Sequence, residues 1–107
     1  MTYEKFLNIT LNLQKHMDQS RQLYKYGIDL IEITDPLLMI IDKLIEEVYG
    51  ENGAEWFGWF CWESDFGRNV PKREDDTTGV RAWDENGNPI CFSHESTWKY
   101  LEENHKK

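Results

Sequence analysis

Ala54-Glu55-Trp56-Phe57-Gly58-Trp59-Phe60-Cys61-Trp62-Glu63 holds three of the chain's five tryptophans, and its reading decides the fold. With a period of two, Trp56, Phe60 and Trp62 share one face and Phe57, Trp59 and Cys61 the other. With a period of 3.6 the large side chains are spread all round. Either pattern places the segment centrally, since an element apolar on every side has no face to give to water. The run contains no β-branched residue, and Gly50 and Gly53 just before it read as a short interhelical link. The segment is therefore expected to be a helix over about 54–63.

Upstream, Asp35 reads as a cap, Pro36 as the first helical position and Gly50 as the stop of a helix over 36–49. Its core stripe is Leu37, Ile41, Leu44 and Val48, widened by Leu38, Ile40, Ile45 and Tyr49, with Lys43 and Glu47 spaced to pair on the wet side. A further run over 19–33 puts Leu23, Tyr26, Leu30 and Ile33 on one side, although Gly27 would weaken such a helix by roughly 1 kcal/mol relative to Ala. The first expected helix, over 3–18, is capped by Thr2 and carries Phe6, Ile9, Leu13 and Met17 in one stripe.

Downstream, residues 64–79 turn polar, with Gly67, Pro71 and the charge run Lys72-Arg73-Glu74-Asp75-Asp76, which reads as a long loop. Val80-Arg81-Ala82-Trp83 and Ile90-Cys91-Phe92 then flank an Asn86-Gly87 turn, the pattern of a β-hairpin over 80–92. Ser93 reads as the cap of a last helix over 94–104, with Trp98 and Leu101 facing the core. The expected class is α+β: a mostly helical single domain with a C-terminal β-hairpin followed by a closing helix.

The 107 residues suit one domain, and 14% aromatic content is too high for a disordered chain. Twenty acidic against twelve basic residues give a formal charge of −8, about −4 on each half. Direct nucleic-acid binding is disfavoured, because such affinity comes largely from Lys and Arg replacing counterions on phosphate. The inverse role is open: an acidic surface can be steered into the basic groove of a nucleic-acid enzyme. Solubility alone is the plainer account of the same charge. No apolar run reaches the length of a membrane span, and Met1-Thr2-Tyr3-Glu4-Lys5 has no charged-then-apolar leader, so a cytoplasmic protein is expected, without membrane contact.

Few residues have the spacing that chemistry requires. Asp84, Asn86, Asn88 and Glu95 fall at positions 1, 3, 5 and 12 of a calcium loop, but Pro89 stands where the sixth-position glycine is needed. His16, His94, His105, Cys61 and Cys91 lack the short spacings that fix two zinc ligands locally, so no metal or other cofactor is expected. A thiol set among Phe57, Phe60 and Trp62 suits a buried, reduced cysteine better than a nucleophile paired with His94. Glu63 and Asp65, beside the aromatic run, could have a raised pKa of use in acid–base work; solvated helix-end carboxylates are the plainer reading.

Five large rings between Trp56 and Trp62 are many for one small core, so Trp59 is expected at a partner surface. Asp29 and Glu32, and Asp42 and Glu46, are expected as adjacent negative pairs on exposed helix faces, joined by Glu63 and Asp65.

Tyr26-Gly27-Ile28-Asp29-Leu30, the Trp56-to-Gly67 stretch, and Ala82-Trp83-Asp84-Glu85-Asn86-Gly87-Asn88-Pro89-Ile90 ahead of Trp98-Lys99-Tyr100-Leu101 resemble a class of small acidic proteins encoded by bacteriophages and prophages. The resemblance covers most of residues 20–103 and carries no catalytic residues. It implies a factor that binds a host protein in the host cytoplasm, as inhibitors of CRISPR nucleases and other defence enzymes do. The expected function is a non-enzymatic protein-binding factor, an inhibitor of a host nucleic-acid-binding or defence enzyme acting through its acidic surface as a DNA mimic. The rival is a small enzyme or ligand-binding protein with a pocket walled by Trp56–Trp62 and supplied with polar groups by Glu63, Asp65 and His94.

Overall fold

The computed structural model describes residues 1–69 and 90–107. Its elements are α1 (Tyr3–Tyr24), α2 (Ile31–Gly58), a π-helical turn (Trp59–Glu63) and α3 (His94–Asn104).

Thr2 starts α1, its hydroxyl accepting from the Lys5 backbone N–H at 3.2 Å. Phe6, Thr10 and Leu13 form the buried stripe, with Thr10 taking the place expected for Ile9. Nothing in Asp18-Gln19-Ser20 breaks the helix, which continues to Tyr24 and takes in the start of the expected second helix. Gly27 is where that reading fails. At φ 81° it is the left-handed residue just past the helix end, with Ile28 N–H donating to Leu23 O at 3.1 Å and Gly27 N–H to Tyr24 O at 3.0 Å. The chain reverses there, leaving Tyr24, Tyr26 and Ile28 exposed.

Helix α2 begins earlier than expected because Asp29 accepts from the Ile31 N–H at 3.0 Å and Leu30 O takes the N–H groups of Ile33 and Thr34. Pro36 consequently lies inside the helix, with no N–H to give the Glu32 carbonyl. Gly50, at φ 80° and ψ 176°, occupies a region open essentially to glycine alone and divides α2 into arms of residues 31–49 and 51–58. In a straight helix Ile41 and Cys61 would stand about 30 Å apart, at 1.5 Å per residue; instead both line one cavity, so the second arm folds back along the first. The buried centre of the first arm is Ile45 and Tyr49, with Leu38, Ile41 and Val48 only partly covered beside them.

The third helix closes the break. Its Ser93 cap and Ser96 form a reciprocal capping box, and the Lys107 N–H donates at 3.3 Å to the Val48 carbonyl. Close approach depends on Gly53, where a Cβ would meet His105 Cβ at 3.2 Å. Trp56 packs on Tyr100 at 4.8 Å, and the Trp98 indole N–H donates to Met1 O at 3.0 Å.

The expected α+β class is corrected to all-helical: among the described residues there is no strand. Ile90-Cys91-Phe92, expected as the second arm of the hairpin, forms bends without a ladder. Cys91 is buried in the core, and the Phe92 carbonyl lies against Gly67 with no room for a Cβ. The rest of the expected hairpin, 80–89, lies outside the described residues, as do the calcium-loop positions Asp84, Asn86 and Asn88.

Candidate functional site

Charge that is even between the two halves of the sequence is uneven between elements. Residues 31–63, which are α2 and the π-helical turn, contain eight carboxylates and one cation, Lys43, a net of −7 out of the chain's −8. Ion pairs join Arg21 and Arg68 with Asp18 and Asp65, Lys99 with Glu95, and Glu102 with Lys106 and the Met1 amino group, and Glu55 of α2 is engaged as well. Asp42, Glu46 and Glu63 take part in none of them, and the pairing expected of Lys43 with Glu47 is not made.

The expected residues are distributed as follows. Asp42 and Glu46, one turn apart on the first arm, share an exposed face. Asp29 and Glu32 are both exposed but are not two positions of one helix: Asp29 lies before α2 and accepts from the Ile31 N–H, and Glu32 stands in the first turn, a favourable place for a negative charge at the helix dipole. Trp59 is only 7% exposed and belongs to the core, so it cannot be the surface ring. That ring is Trp62, 50% exposed, because the wider π turn brings Trp59, Phe60 and Cys61 inward together. Glu63 is exposed at the end of the turn.

Asp65 is bound into an ion network. Arg68 forks onto Asp18 at 2.9 and 3.1 Å and reaches Asp65 at 2.9 Å, and Arg21 reaches the same Asp65 oxygen at 3.1 Å. The Arg68 hydrogen bond holds the Asp18 carboxyl below the usual range. For Asp65 partial burial pushes upward, but the bonds from Arg68 and Arg21 outweigh it and the net shift is downward. The raised pKa expected for a catalytic acid is therefore absent at Asp65. Asp65 and Phe66 have positive φ, 50° and 57°, a strained corner fixed by this network and by the buried Phe66 ring.

Between the arms of α2 lies a cavity of about 250 Å³, lined by Leu13, Leu38, Met39, Ile41, Asp42, Phe57, Gly58, Cys61 and Trp62. Its rim is apolar and open, Met39 being 69% and the neighbouring Ile40 67% exposed. The Trp-rich segment does supply one wall, as the pocket reading expected, but Glu63, Asp65 and His94 are not among the lining residues. His94 is half-buried at the edge of the core instead, Nδ1 2.7 Å from Thr10 Oγ1 and Nε2 3.1 Å from Gln14 Oε1, with Phe60 and Phe66 against its ring. Burial lowers its pKa. Burial likewise pushes up the Cys61 thiol, and that of Cys91 to about 12, the reverse of what a nucleophile needs.

Met39 and Ile40 were not legible as site residues, and Gly58 and Trp62 were so only as part of the Trp56–Trp62 wall of the rival reading. The one further signal was a glycine set mid-helix among aromatics. Among the described residues no three His, Cys, Asp or Glu side chains gather as a metal would require, and no helix is long and apolar enough to cross a membrane. No protein-family model, no curated protein and no solved structure matches the chain.

Proposed function

We propose that this chain is a non-enzymatic protein-binding factor that docks the acidic face of α2 onto a basic surface of its target, the nucleic-acid channel of a host enzyme being the fitting site. The observation that carries the reading is the net −7 on α2 and the π-helical turn, with Asp42 and Glu46 exposed and outside every ion pair described. Unpaired carboxylates along one helix create a field that speeds encounter with a basic groove, whereas charges neutralised by neighbours do not. The resemblance to small acidic phage proteins supports a defence enzyme as the target class and inhibition as the outcome.

The test is a titration against the enzyme that co-purifies with the chain, at low and high salt and with competing DNA. Binding is expected to weaken steeply with salt, to be displaced by DNA, and to fall by about 1–3 kcal/mol in Asp42→Lys/Glu46→Lys, a range set by charged pairs at interfaces. Salt-independent binding that the Lys variant retains contradicts the reading.

A further inference from the structure

We infer that the cavity between the two arms of α2, with the carboxylates beside it, is a groove for a basic amphipathic helix of the partner protein, one large apolar side chain of which fills the cavity. This rests on the reading of the chain as a protein-binding factor and adds the form of the partner's contact element.

Gly58 is the observation that points to an occupant, since the described residues leave the space beside it open. It has ordinary helical angles, φ −59° and ψ −45°, so no backbone requirement calls for glycine. Among the described residues a Cβ there would meet nothing within 4 Å, so no close approach between them calls for it either. A helix-interior glycine costs about 1 kcal/mol relative to Ala, and the packing of the described residues draws no return from it. What glycine does at this position is leave the cavity wall bare, since Gly58 is one of the lining residues.

The size of the space and the chemistry of its rim specify the occupant. A cavity of about 250 Å³ is below the roughly 300–1,000 Å³ of small-molecule sites and suits one large side chain. Apolar surface continues beyond it onto Met39, Ile40 and Trp62, so the occupant extends past the cavity and has an apolar face of its own. Asp42 stands in the lining and Glu46 one turn further, both without an ion-pair partner among the described residues, so the flanks of the occupant are basic. An apolar stripe with basic flanks is a helix-in-groove ligand. A second copy of this chain would set one −7 element against another, and an anionic membrane surface would be repelled in the same way.

The probe is a fluorescein-labelled 18-residue helix-forming peptide of Leu and Lys in amphipathic spacing, with a control in which Ser replaces every Leu, read by anisotropy. The whole chain is expected to prefer the Leu peptide by about 30-fold, the scale of one interface anchor. Gly58→Leu, which plugs the cavity, is expected to erase that preference with a melting temperature equal to or above wild type. Trp62→Ala is expected to weaken the Leu peptide while circular dichroism stays unchanged. Asp42→Lys/Glu46→Lys is expected to weaken both peptides. Wild-type affinity for the Leu peptide in both Gly58→Leu and Trp62→Ala overturns the groove, and a loss in the Lys variant beside it leaves the acidic face standing. Failure of the wild type to bind either peptide overturns both. Sedimentation as a dimer that Gly58→Leu dissociates makes the occupant a second copy and overturns the partner helix.

Discussion

Arg68 grips Asp18 with both terminal nitrogens, at 2.9 and 3.1 Å, across fifty positions of sequence, and so ties the left-handed corner behind the Trp-rich segment to the C-terminal half of α1. The side chains are about 43% exposed, so the pair itself is worth about 1 kcal/mol at most. Arg68→Ala is expected to destabilise by about 0.5–1 kcal/mol in urea titration, and Arg68→Lys by nearly as much, since an ammonium cannot make the fork. Because Asp18 and Asp65 have lowered pKa values in the folded chain, their contribution is present above about pH 4 and fades as pH falls below it. An acid unfolding curve superimposable for wild type and Arg68→Ala would show that the network contributes nothing.

His94 titrates with the opposite charge but the same direction in pH. Its folded pKa is lowered by burial, so the fold prefers the neutral ring. The preference is fully present above the unfolded value of about 6.5 and is lost as pH falls from there through the folded pKa. Melting temperatures between pH 7.5 and 5 are expected to decline for wild type. His94→Gln should melt lower at pH 7.5 and show a flatter profile; an equal slope in the variant would place the effect elsewhere.

Ile45 is fully buried, whereas Glu47 on the same arm is exposed. Ile45→Ala is expected to cost about 2–5 kcal/mol, and Glu47→Ala to stay within about 0.5 kcal/mol. Denaturant midpoints for the two variants decide the matter, and similar small losses would mean that the first arm is not packed as described.

The two glycines of α2 that differ most in conformation should respond with opposite sign. Gly50→Ala forces a Cβ into φ 80°, ψ 176° and is expected to cost about 1–3 kcal/mol. Gly58→Ala adds a Cβ in open space at helical angles and is expected to stabilise by about 0.5–1 kcal/mol. Thermal melts of the two variants moving in the same direction would contradict the break at Gly50.

Caps that adjoin a periodic apolar run were legible: Thr2 and Ser93 open α1 and α3 at the residues expected, because a side-chain oxygen beside free backbone N–H groups has one favourable use. Gly27 was not, since the same residue reads as a weak point inside a helix or as the left-handed residue after one, and the choice depends on where the chain turns back. Asp35-Pro36 has every local mark of a helix start, yet Asp29 offers a competing one, and the earlier turn is held by buried Thr34, whose hydroxyl lies 2.8 Å from His16 Nε2. Trp62 stands at the surface in place of the expected Trp59 because a π turn alters the rotation per residue, which no period of 3.6 anticipates. Of the site, Asp42 and Glu46 were visible as polar positions on a well-marked helix. Of the cavity only the Trp56–Trp62 wall was, because the facing wall lies about twenty residues away and meets it only through the reversal at Gly50.

The most direct test of α2 as a docking surface is a residue-by-residue map of backbone amide shifts while the Leu/Lys peptide is added to the ¹⁵N-labelled chain. The expected result is a contiguous set of shifted amides at Met39, Ile40, Asp42, Glu46, Gly58 and Trp62, with those of α3 unmoved. Shifts confined to the Asp18, Arg21, Asp65 and Arg68 corner or to α3, with the arms of α2 silent, would contradict it.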